Sequence, residues 1–224
     1  MLEGQEYLTS PEIDLASRMG ADLTIHSGVV IPSKEDGARP FLGISQWVNN
    51  QRKKFPKKQY PFENAFYKLI GNNVYGKVAQ GLRNTSRVFD SRLGSTTQLE
   101  RSRISDAYAA AYTTGLVRAT TSEILSLLPS DVLVGNTITD GVCTTATEEQ
   151  MAQATRGPQC QFFSALREMI CSDPKILDIK GQVDGMVFMR TRMHASTGNV
   201  LRGSEPILAK VNAVSYTHLT LPTI

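Results

Sequence analysis

Cysteine is scarce in this 224-residue chain. Cys143, Cys160 and Cys171 are unevenly spaced and never form a Cys-x-x-Cys pair, which argues against a disulfide framework and a zinc knuckle. Histidine is equally rare: His26, His194 and His218 lie far apart and make no ligand cluster. No apolar run is long enough to span a bilayer, so no membrane partner is expected. The opening residues MLEGQEYLTS lack the apolar centre of a signal peptide. No internal repeat occurs. These absences point to a reduced, intracellular setting without secretion.

What is present is ordinary in total and uneven in distribution. Hydrophobic residues make up 41% and charged residues 20%, enough for a globular core. The net charge is a mild +3. Between Gln51 and Gln80, however, Arg52, Lys53, Lys54, Lys57, Lys58, Lys68 and Lys77 face only Glu63. Such a run is either a solvated face or a surface for a polyanion such as nucleic acid or a nucleotide phosphate tail.

Ser10-Pro11-Glu12 reads as a helix start with Ser10 as cap, and Gly20 as its end. The stretch 21–32 predicts a β-hairpin, with strands near Leu23–Ile25 and Val29–Ile31. Helices are expected from Phe41 to Lys54 and from Phe62 to Ala79, separated by Phe55-Pro56 and Tyr60-Pro61, giving an antiparallel helical hairpin with a basic turn. Residues 80–102 read as loop with at most a short strand. Ile104 to Leu128 predicts the longest helix, whose small residues Ala109, Ala110, Ala111, Gly115 and Ala119 suit close packing against a sheet. Asp140-Gly141 between β-rich arms is a hairpin signal. Helices near 148–155 and 162–170 follow, then two strands within 176–192 that carry Lys180, Arg190 and Arg192. This order is not a βαβ alternation, and it argues for an α+β fold with antiparallel pairing.

The second helix of the hairpin contains KLIGNNVYGK, residues 68–77. Gly71, Asn72 and Asn73 are poor helix formers placed in succession. On a helical wheel Gly71, Asn72, Tyr75 and Ala79 share the face of Lys68, while Phe62, Phe66, Leu69 and Ile70 offer an opposite face for docking. A lysine for phosphate, an asparagine amide, a tyrosine ring and low glycines would suit a nucleotide laid along the helix. A surface helix weakened by its glycines fits the spacing as well.

These residues resemble the KxxxNSxYG motif of family B DNA polymerases, in the protein-primed, viral and mobile-element branch, with Asn73 where Ser is usual. Ile138-Thr139-Asp140-Gly141 is similar to that family's DTD hairpin, with Ile138 replacing a further aspartate; by itself Asp140 would be an ordinary turn residue. The resemblance implies DNA primer–template and dNTP as partners, with a terminal protein as a further primer, and two Mg²⁺ ions. It implies Lys68, Arg52 and Asn72 at the triphosphate, Tyr75 beside the nascent base pair and Gly76 beside the template base. Lys53 and Lys54 compete with Arg52 for its place. Asp140 would be a catalytic metal ligand, and Lys180, Arg190 and Arg192 would grip the primer end, where plain surface charge is the competing reading.

The family's other metal aspartate lies in a DxxSLYPS motif that this sequence does not contain. The expectation is therefore a fragment, inactive by itself: palm piece 1–40, fingers 41–80, palm with catalytic hairpin 81–175 and palm to thumb 176–213. Residues 214–224 resemble a translated adapter, although a natural β-prone tail reads the same way. The alternative is a non-catalytic nucleic-acid-binding module that uses the basic helical hairpin.

Overall fold

The computed structural model describes residues 6–32, 37, 39–83, 87–190, 193–197, 199–202 and 208–209. They form two units. The first takes the described residues up to Gly115 together with Met169–Ser172, and the second takes Leu116–Glu168 and the described residues from Asp173. Helices alternate with small sheets whose pairings are all antiparallel, an α+β fold. No helix among the described residues is long and apolar enough to cross a membrane. The expected tail 214–224 and Arg192 lie outside the described residues.

In the first unit, α1 spans Ser10–Arg18. Its cap is Thr9 and not Ser10: the Thr9 N–H and hydroxyl both donate to the Glu12 carboxylate, at 2.9 and 2.7 Å. Gly20 ends it at φ +84°, with Ala21 N donating to Ala16 O and Gly20 N to Ser17 O, the paired bonds of a glycine-terminated helix. The expected hairpin at 21–32 does not form. The segment has no strand, and its apolar side chains stand in solvent, Val30 at 87% exposure. A two-stranded ribbon without a covering face gains too little to hold itself together.

Helices α2 (Leu42–Lys54) and α3 (Pro61–Val78) pack as the predicted helical hairpin. Pro61 opens α3 with Glu63 in its first turn, where a missing N–H and a negative charge both suit a helix start. Serines take carbonyls at its end and just beyond, Ser102 Oγ donating to Lys77 O and Ser105 Oγ to Gln80 O, both at 2.6 Å. A short hairpin of β1 (Arg87–Asp90) and β2 (Ser95–Gln98) occupies the stretch expected to be mostly loop.

Helix α4, Ala107–Ser126, begins in the first unit and continues into the second. Asp106 caps it by accepting from Tyr108 N and Ala109 N. A side chain at Gly115 would meet Thr9 Oγ1 at 2.0 Å, so the glycine admits the start of α1.

The second unit holds the larger core. Leu116, Val117 and Ile124 of α4 pack with Ala154 of α5 (Glu148–Ala154), Cys160 and Phe163 of α6 (Pro158–Cys171), and Ile176 beyond it. Buried Glu123 accepts from Cys160 N at 2.9 Å, placing a carboxylate at the positive end of α6. Gly157 makes room for it: a Cβ there would lie 2.3 Å from the Glu123 carboxyl carbon. The strands are β3 (Val134–Ile138) with β4 (Gly141–Thr144), β5 (Gln182–Val183) with β8 (Val200–Arg202), and β6 (Met186–Arg190), β7 (Met193–Ser196) and β9 (Leu208–Ala209) in one sheet. The two strands expected within 176–192 are present, but each pairs with a later strand and not with the other.

Candidate nucleotide-binding site

Helix α3 docks by a different face from the one its hydrophobicity suggests. The packed column is Asn64, Gly71 and Val78, repeating every seven residues, with Tyr67 beside it. Tyr67 stacks on Phe55 at 5.7 Å and meets Trp47 edge-on at 5.5 Å, so the hairpin closes through aromatic contacts. Phe62, Phe66 and Leu69, expected to dock, are exposed instead, Phe62 at 76%. Gly71 is therefore buried in this column and does not stand on the open face that the sequence suggested.

The rest of the expected row survives this rotation. Lys68 and Asn72 are exposed and Tyr75 is half-buried, one turn apart along the border of the packed column. Gly76 follows, exposed, and a Cβ placed on it would meet nothing within 4 Å. The fold thus makes no demand for glycine at this position, although a glycine in a helix costs about 0.5–1 kcal/mol relative to alanine.

The hairpin also separates the three competing cations. Lys53 donates to Cys171 O at 2.5 Å, and Lys54 is exposed. Arg52 is half-buried, and its Nε lies in the interior without a hydrogen-bond partner among the described residues. Burial lowers its pKa from the ordinary guanidinium value. Sequence reasoning passed over Asn64, which is only 8% exposed and donates from Nδ2 to Arg52 O at 3.2 Å and Phe55 O at 2.7 Å. Its seven-residue spacing to Gly71 and Val78 was the available signal.

Asp140 belongs to the second unit. The turn between β3 and β4 is Thr139-Asp140, since Ile138 pairs with Gly141; the expected Asp140-Gly141 turn is shifted by one residue. Asp140 is 3% exposed. Thr139 adopts φ +54°, a left-handed conformation that is costly for a β-branched residue and places strain beside the aspartate. The hairpin is anchored from β6 and β7. Gly135 leaves space for the Phe188 ring, which would lie 2.3 Å from a Cβ, and the Asn136 amide stands 3.4 Å from His194 Nδ1. His194 is 9% exposed, and its burial lowers its pKa.

Among the described residues no group of three or more His, Cys, Asp or Glu side chains could hold a metal ion. The donor set here does not make a complete Mg²⁺ site around Asp140. Lys180 is exposed and forms an ion pair with Asp178, whose pKa is lowered first by that hydrogen bond. Arg190 ends β6 opposite Met193.

The chain is similar to an Escherichia coli protein named primer-independent DNA polymerase PolB, at 33% identity over 198 residues. The match covers 85% of this chain and 22% of that protein, so the chain spans about a fifth of the relative's length. This similarity supports a relation to DNA polymerases. No protein-family model matches the chain. No solved structure matches it either.

Proposed function

We propose that the chain is part of a family B DNA polymerase, whose reaction transfers a nucleotidyl group from a dNTP to a primer 3′ hydroxyl under template direction. The observation that carries this reading is the division of labour on α3. Asn64, Gly71 and Val78 are buried, Asn64 bonding the end of α2, while Lys68, Asn72 and Gly76 remain exposed. These exposed motif residues are available to a ligand, and the similarity to a protein named as a DNA polymerase supports a nucleotide as that ligand.

In this reading α2 and α3 are the fingers. Lys68 and Arg52 hold the triphosphate as cations, and Asn72 donates an amide hydrogen to an oxygen beside them. The half-buried Tyr75 presents its ring to the nascent base pair, and Gly76 keeps the template base close to the helix. Asp140, in the palm, would be one carboxylate for Mg²⁺, which supplies charge stabilisation at the attacking and leaving oxygens. The described residues do not complete a metal site around it. The proposal is that this chain binds nucleotide and DNA without sustaining synthesis. Lys180 and Arg190, with Arg192, are proposed at the primer end.

For the start of synthesis, the branch resemblance implies a terminal protein, whereas the relative is named primer-independent. The second reading has an observed match behind it and is preferred. A non-catalytic nucleic-acid-binding module remains the rival, favoured by exposed Lys54, Lys57 and Lys58 at the hairpin turn. Equilibrium binding of primer–template DNA decides between them. A polymerase piece binds more tightly when the dNTP matching the template base is added. A basic module shows the same salt-sensitive affinity with a matched, a mismatched or no dNTP, and that result would reject the proposal.

A further inference from the structure

The helical hairpin contains a clamp that the motif reading does not use. Asn64 lies in the first turns of α3, buried, and its Nδ2 donates to Arg52 O and Phe55 O. These are two of the carbonyls that the C-terminus of α2 leaves without helical partners. An asparagine is a poor helix former, and here it is spent on fixing the end of the neighbouring helix. Asn64 also precedes Lys68 by one turn, so the clamp holds the Arg52 backbone one turn of α3 away from Lys68.

Arg52 itself is a cation waiting for an anion. No hydrogen bond or ion pair of its guanidinium occurs among the described residues, and its Nε is buried without a partner. A guanidinium so placed has lost water without gaining a carboxylate, and an arriving phosphate would satisfy it. We propose that Asn64 is a positioning residue, which by clamping the end of α2 holds Arg52 beside Lys68 so that both cations meet one polyphosphate. This inference rests on the fingers reading above and extends it to a residue outside the motif.

The test measures binding of a fluorescent dNTP analogue, with inorganic tripolyphosphate as a competing probe, to the full chain. Arg52→Ala should weaken binding by roughly tenfold, the scale of one charge-assisted hydrogen bond. Asn64→Ala and the near-isosteric Asn64→Asp, which cannot donate to the two carbonyls, should weaken it by a similar factor. In an Arg52→Ala background the same changes at Asn64 should cost no further affinity, although they should lower the melting temperature in both backgrounds. A merely structural asparagine would weaken binding equally with and without Arg52, and that outcome overturns the proposal. So does unchanged affinity in the Asn64 variants, or in Arg52→Ala. If Asn64→Ala does not fold, Asn64→Leu, which fills a similar volume without a donor, carries the same comparison. Failure of the unaltered chain to bind either probe removes the fingers reading itself and the inference with it. That result is distinct from binding that ignores Asn64.

Discussion

Replacing Gly76 by alanine separates a residue kept for the fold from one kept for a ligand. Gly76 lies in the last turns of α3, outside the positive-φ positions, and an added Cβ meets nothing within 4 Å. No clash offsets the helix-forming preference of alanine, so the variant should be more stable by about 0.5–1 kcal/mol. In a chain of this size that corresponds to roughly 1–4 °C in melting temperature. The proposed ligand feels the opposite. A methyl group where a template base approaches the backbone is overpacking, which costs about 1–3 kcal/mol, or a factor of roughly 5 to 150 in affinity. Thermal melts and titration of primer–template DNA with matched dNTP, run on the same preparations, read the two effects. Greater stability with weaker binding is the expected result. Lower stability would show that the fold needs this glycine, and unchanged binding would show that nothing approaches it; either would refute the reasoning.

Two further outcomes follow from the second unit. His194 is held neutral by burial, with its pKa below the usual 6.5, and its Nδ1 must be unprotonated to accept from the Asn136 amide. The unfolded chain therefore binds the proton more readily, so the stability linked to His194 is complete above about pH 6.5 and falls as pH drops through that value toward the folded pKa. Urea melts between pH 5 and 8 should show this slope reduced in His194→Gln, and an unchanged slope would contradict it. Cys160 is fully buried beside Glu123, and burial first, then that carboxylate, pushes its thiol up to about 12. A thiol reagent at pH 8 should leave Cys160 unmodified in the folded chain and react with it after unfolding. Modification at equal rates in both states would show that the core is open.

The helices were legible because their ends are written locally. Gly20 and the Tyr60-Pro61 break mark ends through local backbone preference, which needs no distant partner, although the cap of α1 is Thr9 where Ser10 was expected and α4 is capped by Asp106 where Ile104 was expected to begin it. The docking face of α3 was not legible. A helical wheel ranks residues by hydrophobicity, whereas this hairpin closes on Tyr67, Trp47 and a buried asparagine cap, leaving Phe62, Phe66 and Leu69 outside. The segment 21–32 has the alternation of a hairpin but no described strand to pair with it. Similarly, Asp-Gly suggested the turn at residues 140 and 141, while the register chose Thr139-Asp140 and accepted a left-handed threonine. Of the candidate site, the common row of Lys68, Asn72 and Tyr75 could be read from helical spacing, and the helix keeps it. The support from Asn64 could not, because it depends on where α2 ends.

The most direct measurement is the affinity of a dNTP analogue for the chain with and without Lys68→Ala. Lys68 is exposed and outside the packed column of α3, so its loss should leave the melting temperature within a degree or two, the scale of a surface change. The account predicts saturable binding by the unaltered chain, displaced by tripolyphosphate and weakened about tenfold or more in the variant. Binding of equal strength in both proteins would contradict it, because the motif lysine would then hold no phosphate.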